Sequence, residues 1–101
     1  MKRFKIIFLP DALEDIKASK KWYDKQQSGL GTKLIADVEL SIKDVKQNPF
    51  FGSIKYMDIR TVSCLKFPYA IHYSIDEINR IIIVTSIFHL HRNPFWDKQD
   101  E

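Results

Sequence analysis

The residues best suited to chemistry lie in the last third of the chain, where His72 is followed by His89, His91 and Arg92. A neutral imidazole accepts a proton, an imidazolium donates one, and a guanidinium stabilises charge on a phosphate. His89 and His91 are two residues apart and share one face of an extended segment, and we expect His72 to lie on the same sheet surface. Together these residues could supply the acid, the base and the cation of a general acid–base reaction.

The same histidines allow two other interpretations. Three imidazole nitrogens could hold a metal ion, but no carboxylate or thiol has an evident relation to them, so we predict neither a metal nor another cofactor. His89 can equally be a structural residue at a sheet edge, and this is the interpretation that we favour for it. Cys64 is the single cysteine, which excludes an intramolecular disulfide and is typical of a buried apolar position.

Two amphipathic helices are predicted after an N-terminal strand. Residues 3–9 alternate phenylalanine and isoleucine with more polar positions, which is the period of a strand with one buried face. A proline ends this strand and opens a helix whose apolar residues recur at steps of three and four up to Trp22 and Tyr23, which we expect to pack in the core or against the next helix. A second apolar stripe over residues 30–45 ends before Pro49, so the two helices should form a hairpin.

The hydrophobic period changes from helical to two in the second half of the chain. Residues 56–66 suit one long or two short strands, residues 69–75 alternate cleanly, and residues 81–88 are apolar on both faces. The polar segment 76–79 has the length of a hairpin loop. We therefore predict a single α+β domain over residues 1–101, in which the helical hairpin packs on a mostly antiparallel sheet of roughly three to four strands.

Composition indicates an ordinary soluble domain with a mild positive charge. Hydrophobic residues make up 45% of the chain and charged residues 29%, which argues against disorder. The longest apolar run, Ile81 to Leu90, is about half the length that a membrane span requires, and no secretory signal follows the basic N-terminus. These features predict a cytoplasmic protein without membrane contact. The net charge of +3 favours anionic partners such as nucleic acid or an acidic protein segment.

Several motifs follow one another over nearly the whole chain. They are the helix start Pro10–Ile16 with Trp22-Tyr23 at its end, Asn48-Pro49 followed by Gly52, Arg60, Pro68-Tyr69 leading into Ile71-His72-Tyr73, and the terminal His89 to Arg92. In their order and spacing the chain resembles the RelE/ParE toxin superfamily of bacterial toxin–antitoxin systems. The resemblance implies a small toxin that is neutralised by a cognate antitoxin encoded beside it.

The superfamily has two branches that need different residues. RelE-like members cleave messenger RNA in the ribosomal A site, and they resemble one another in supplying Lys and Arg on the strand before a tyrosine and immediately after it. In this chain Arg92 fills the last-strand position, but Thr61, Ser63 and Ala70 stand where the other cations are expected. The ParE branch poisons DNA gyrase without nuclease chemistry. The resemblance therefore implies a ParE-like, non-enzymatic inhibitor of a nucleic-acid-handling target such as gyrase.

Two alternatives remain open. One is a RelE-like ribosome-dependent endoribonuclease that uses His91, Arg92 and His72 as catalytic residues. The other is a non-toxic member that serves only as a binding module. Alanine at His91 and Arg92 should abolish RNA cleavage if the enzyme interpretation holds, whereas gyrase inhibition should depend more on the helical hairpin and on the tail, residues 94–101.

Contacts with the target and with partner proteins involve a different set of residues. The candidates for target or nucleic-acid binding are Arg60, Lys66, Tyr69, His89 and Arg92. Arg60 and Lys66 could contact phosphate, although both would also suit a solvated face. A sheet with helices on one side leaves an edge strand open, and such an edge invites a strand or helix from an antitoxin or from a second copy in a homodimer.

Overall fold

The computed structural model describes residues 3–90 of the 101-residue chain. A strand and two helices are followed by a short 3₁₀ turn and four further strands. Their bounds are β1 Lys5–Phe8, α1 Pro10–Gln26, α2 Leu30–Gln47, the 3₁₀ turn Pro49–Phe51, β2 Ser53–Tyr56, β3 Ile59–Ser63, β4 Tyr69–Asp76 and β5 Ile81–His89. Within the described range, no helix is both long enough and apolar enough to cross a membrane.

The five strands form one sheet in the order β1-β5-β4-β3-β2. β1 runs parallel to β5, and every other neighbouring pair is antiparallel. The α+β class and the mostly antiparallel sheet are therefore confirmed, but the sheet has one strand more than the largest number expected. The additional strand is β2, an edge strand of four residues that are exposed or half-buried, so that its alternation is too short for a sequence pattern to reveal.

The turn between α1 and α2 is stabilised by one glycine and one aspartate. Gly29 caps the start of α2 with a φ of 87°, a left-handed conformation that glycine adopts without strain. Asp24 then joins the helices, because its Oδ1 accepts a hydrogen bond from the Gly31 N–H at 2.7 Å while its Oδ2 accepts one from Lys20 Nζ at 2.9 Å. The bonds from Lys20 and from Gly31 lower the pKa of the Asp24 carboxyl. The predicted helical hairpin is confirmed.

The core lies between this hairpin and one face of the sheet. Its buried apolar residues are Ala12, Leu34, Val38 and Val45 from the helices, and Val62, Tyr69, Ile71, Tyr73, Ile82, Val84 and Ile87 from the strands. Tyr23 packs against them, with its ring centroid 5.2 Å from that of Phe67. Trp22 is 57% exposed and meets only the edge of Tyr23 among the ring contacts of residues 3–90, so the expectation that it belongs to the core is wrong.

Tyr73 fastens the 3₁₀ turn to the sheet. Its buried hydroxyl donates to the Pro49 carbonyl at 2.7 Å and accepts from the Gly52 N–H at 3.1 Å. A Cβ on residue 52 would lie 2.6 Å from that hydroxyl, so only glycine fits this close approach. Arg60 completes the attachment, since its Nη1 donates to the Gly52 carbonyl at 2.7 Å. The second half of the sheet is thereby held in register with the end of α2.

A β-bulge in β5 decides which residues share a face. His72 pairs with Ser86 and Tyr73 pairs with Val84, so Thr85 is an extra residue without a directly opposite partner on β4. Its Oγ1 donates to the His72 carbonyl at 3.2 Å. Since side chains alternate with a period of two, this one residue reverses the alternation of β5 beyond the bulge.

Candidate functional site

The side of the sheet away from α1 and α2 is the helix-distal face, built from alternate residues of β3, β4 and β5. Its centre consists of two cross-strand rows: Thr61, His72 and Ser86, and beside them Ser63, Ala70 and Phe88. The outward positions of Thr61 and Ser63 are as the sequence predicted. Small or hydroxyl-bearing side chains dominate these rows, and neither row contains a lysine, an arginine or a carboxylate.

His72 is the titratable residue at the centre of this face. It is 2% exposed, and its ring meets Phe88 edge to face with centroids 4.9 Å apart and lies 6.4 Å from the ring of Tyr56. Burial, and to a lesser extent the positive charge of Lys55 on the adjoining edge strand, together lower the pKa of His72 to about 4. The imidazole is therefore neutral at pH 7, and its ring is not accessible to a macromolecule in this arrangement.

His89 lies on the opposite side of the sheet. It pairs directly with Tyr69, and the two rings meet edge to face with centroids 5.1 Å apart. Directly paired residues point to the same side, and Tyr69 points towards the helices. The expectation that His72 shares a sheet surface with His89 is wrong, because the bulge at Thr85 shifts the alternation by one residue.

This separation also removes the metal interpretation that joined His72 with His89. Two imidazoles on opposite faces of one sheet cannot bind the same ion. Among residues 3–90, no group of three or more His, Cys, Asp or Glu side chains is placed to hold a metal ion. His91 and Arg92, the principal catalytic candidates of the nuclease interpretation, lie outside the described residues, as does the tail 94–101, and their roles stay predictions.

Arg60 is tied to backbone carbonyls. Its Nη1 donates to the carbonyls of Gly52 at 2.7 Å and Phe50 at 3.3 Å, and its guanidinium lies 5.3 Å from the centroid of the Phe50 ring. These contacts use part of the donor set that a phosphate would require. Arg60 therefore positions the 3₁₀ turn, and any contact that it makes with a target must share the same guanidinium.

Two further predicted binding residues differ in exposure: Tyr69 is buried, whereas Lys66 is exposed. Tyr69 is 2% exposed and packs against Tyr23, with ring centroids 6.3 Å apart; the expectation of direct target contact is corrected, since the ring belongs to the core. Lys66 lies in the loop between β3 and β4 with its side chain exposed. Of the predicted binding residues between 3 and 90, it is the one with an exposed cationic head, and it stays a candidate for phosphate contact.

Asp37 is a structural determinant of this region that the sequence did not reveal. The residue is 2% exposed, and its Oδ2 accepts hydrogen bonds from the backbone N–H groups of Lys66 at 2.9 Å and Phe67 at 2.8 Å. A helix side chain thus pins the loop that carries Lys66. Because the partners are distant in sequence, an aspartate on an amphipathic helix gives no local indication of this role.

Cys64 lies beside the same buried carboxylate. Burial raises the pKa of its thiol and the charge of Asp37 raises it further, while a hydrogen bond with Ser41 acts in the opposite direction. A thiol with a raised pKa holds little thiolate near pH 7 and reacts poorly. The sequence predicted a buried, unreactive cysteine; the side chain is half-buried, and its raised pKa agrees with low reactivity.

The fold places the chain in a structural class: a small α+β domain in which a helical hairpin covers one face of a five-stranded, mostly antiparallel sheet. No family model matches the sequence, and no curated protein matches it. Solved structures do match. Those described below are chains of toxin–antitoxin systems, and the likeness extends over most of each chain.

Three solved structures illustrate the likeness. A chain of the chromosomal ParDE system from P. aeruginosa is 15% identical with a TM-score of 0.76, and the match covers 87% of this chain and 97% of that chain. A chain of the E. coli RelBE toxin–antitoxin complex is 15% identical with a TM-score of 0.68, covering 88% and 99%. The isolated E. coli RelE toxin is 14% identical with a TM-score of 0.68, covering 92% and 90%. The chain therefore has the RelE/ParE toxin fold, which confirms the predicted resemblance.

Proposed function

We propose that this protein is the toxin of a type II toxin–antitoxin pair and that it acts as a ParE-like inhibitor of a nucleic-acid-handling enzyme, with DNA gyrase as the leading target. The shared fold supports the toxin assignment. Gyrase acts on chromosomal DNA, so this function would place the protein in the cytoplasm.

The observation that carries the ParE-like assignment is the chemistry of the helix-distal face. RNA cleavage by the 2′-hydroxyl needs a base, an acid and cations for the charge on the phosphorus centre. Thr61, Ser63 and Ala70 carry no charge, and His72 is buried and neutral at pH 7. The positive charge that acts on His72 comes from Lys55, an exposed residue of the edge strand β2. The described part of this face is thus poorly equipped for nuclease chemistry.

The proposed antitoxin would bind an open edge of the sheet. β1 ends at Phe8, opposite Val84, so the last part of β5 has no strand beside it on that edge within residues 3–90. The Ile87 N–H on this part of the strand donates instead to the Asp15 carboxylate at 3.1 Å. β2 forms the other edge, with exposed residues from Ser53 to Lys55. Either edge could accept a strand from an antitoxin, or from a second copy in a homodimer.

A ribosome-dependent endoribonuclease is the second candidate function. It is favoured by the match to the isolated E. coli RelE toxin, which covers 92% of this chain. In this interpretation His91 and Arg92 supply the acid–base group and the cation, with His72 as a neutral imidazole able to accept a proton. Lys55 would be the cation near His72 that the described strands contribute.

Inducible expression in a bacterial host tests the proposal, with the DNA-damage response and messenger RNA ends followed in the same culture. We expect growth arrest, an induced damage response and intact transcripts. Growth should recover when the product of the neighbouring gene is expressed as well. Transcripts cut within codons, and made intact again by H91A or R92A, would assign the protein to the nuclease branch instead.

A further inference from the structure

A groove of about 810 Å³ lies beside the C-terminal half of α2, on the molecule's helix-covered side. The start of β1, the 3₁₀ turn and the turn between β4 and β5 form its other walls. We call it the basic groove. It is separate from the helix-distal face described above and from both open strand edges.

Four exposed cations line the basic groove, and one acidic residue accompanies them. The cations are Arg3, Lys43, Lys46 and Arg80, and the acid is Glu39. Within residues 3–90, none of the four cations forms an ion pair; the pair found there is Lys20–Asp24 on α1. Unpaired cations gathered around a concave surface create a positive potential that attracts an anionic partner.

The same groove has an apolar lining, to which Phe4, Ile42, Pro49 and Phe50 contribute. Phe50 is 47% exposed, so part of this lining is available to a partner. The Arg80 guanidinium lies 5.1 Å from the Phe4 ring centroid, and Arg60 covers Phe50 at 5.3 Å. One face of each ring is therefore already occupied by a guanidinium.

We propose that the basic groove binds an acidic amphipathic segment of another protein. Apolar side chains of that segment would contact Ile42 and Phe50, while its carboxylates would pair with Lys43, Lys46 and Arg80. Stacking on Phe4 holds the Arg80 guanidinium in place, which favours bidentate binding of a carboxylate. Identification of the segment as part of the antitoxin rests on the proposed function, whereas binding by the groove does not.

A single-stranded nucleic acid is the competing occupant, and the geometry disfavours it. Sequence-tolerant binding of single strands relies on bases stacked on aromatic faces as well as on cations along the backbone. Arginines cover one face of each phenylalanine in the groove. An aliphatic side chain can pack against the ring edges and Ile42 without displacing either arginine.

A synthetic peptide tests the proposal directly. The probe is a fluorescein-labelled helix of about four turns, with leucines at spacings of three and four and glutamates elsewhere. Fluorescence anisotropy would compare wild type with K43E/K46E, in which two groove cations are reversed, and with K17E/K21E as the matched control. Lys17 and Lys21 are exposed on α1 and line a different surface, so both double variants change the net charge equally.

We expect wild type and K17E/K21E to bind the peptide equally, and K43E/K46E to bind it about tenfold or more weakly. A peptide with serine in place of leucine should also bind about tenfold more weakly, because the apolar contacts are lost. Raising the salt concentration from about 0.05 M to about 0.5 M should weaken peptide binding by wild type more than peptide binding by K43E/K46E.

Equal weakening in K43E/K46E and K17E/K21E would overturn the proposal, since it would show attraction by net charge alone, and equal binding by all three proteins would overturn it because the groove cations would then make no contribution. Tighter binding of a single-stranded oligonucleotide, lost in K43E/K46E, would overturn it in favour of nucleic acid. Thermal unfolding confirms that each variant is folded, and R80N provides a second groove variant that tolerates the φ of 57° at this position. None of these readouts depends on toxicity in cells. A failure of the proposed toxin function can therefore be distinguished from a failure of peptide binding by the basic groove.

Discussion

The two faces of the sheet are made from alternate residues of the same strands, yet they serve different purposes. On β4, the side chains that face the helices are Tyr69, Ile71 and Tyr73, all large and at most 2% exposed. The helix-distal side of the same strand has Ala70 and Ser74 around the single imidazole of His72. We therefore expect the helix-facing residues to contribute more to stability, because they bury more side-chain volume than the helix-distal residues of the same strand.

The strongest test of this comparison is the removal of packing on the helix-facing side. Ile71→Ala should lower the free energy of unfolding by about 2 to 5 kcal/mol, because a fully buried side chain is lost and a cavity remains. Urea denaturation measures the change. Ser74→Ala, on the other side of the same strand, is the control and should stay within about 0.5 kcal/mol of wild type. Similar losses for both variants would show that the faces are energetically equivalent.

The next test removes a polar attachment from the helix-facing side without removing its packing. Tyr73→Phe should cost about 1 to 3 kcal/mol, because the Gly52 N–H and the Pro49 carbonyl lose their buried partner. Hydrogen exchange at the Gly52 amide should become faster, since this N–H now donates to the Tyr73 hydroxyl at 3.1 Å. An unchanged exchange rate in Tyr73→Phe would mean that the 3₁₀ turn is held by other contacts.

Acid should lower the stability of the fold, because the imidazole of His72 on the helix-distal side is buried in its neutral form. The folded pKa of His72, about 4, is below its unfolded value near 6.5, so the unfolded chain binds the additional proton between these pH values. Stability from this source is complete above pH 6.5 and is lost as the pH falls towards 4. Between pH 7 and pH 5 the loss should be about 2 kcal/mol by linkage.

Urea denaturation at the two pH values measures this loss, with His72→Gln as the control. The variant cannot take up the proton, so its stability should change less between pH 7 and pH 5 than that of wild type. An identical pH dependence in both proteins would show that His72 titrates normally and is accessible to solvent.

The smallest effect is expected at the exposed edge of the helix-distal side. Lys55→Ala should change stability by less than about 0.5 kcal/mol and should leave growth arrest intact, because the proposed inhibition of gyrase needs no cation beside His72. Lys66→Ala, in the exposed loop between β3 and β4, should weaken target binding, because this lysine is the proposed phosphate contact. Loss of toxicity in Lys55→Ala alone would indicate that the helix-distal side is catalytic after all.

Local pattern was sufficient to predict most of the fold. The predicted first strand, both helices and the strand from residue 69 match β1, α1, α2 and β4 closely, because each carries a strong apolar periodicity. β2 lacked a strong signal, since its alternation of polar and apolar residues extends over only four positions and these are exposed or half-buried. The strand count was therefore the part of the fold that the sequence could not supply.

The site was harder to predict because it depends on register and on long-range contacts. One bulge residue, Thr85, places His72 and His89 on different faces, and alternation along a strand that is apolar on both sides does not disclose it. Asp37 meets the backbone of Lys66 and Phe67 only after folding. The absence of cations at Thr61 and Ser63, in contrast, could be predicted from sequence because their outward position depends only on the period of β3.

The most direct test of the central claim, that this protein inhibits gyrase and does not cleave RNA, is an assay of the purified chain against both targets. DNA supercoiling by gyrase and messenger RNA integrity in a translating extract are measured over the same range of protein concentrations. Our account predicts that supercoiling fails while the transcripts stay intact, in wild type and in H91A and R92A alike. Codon-specific cleavage of the transcript with normal supercoiling, abolished by R92A, would contradict it.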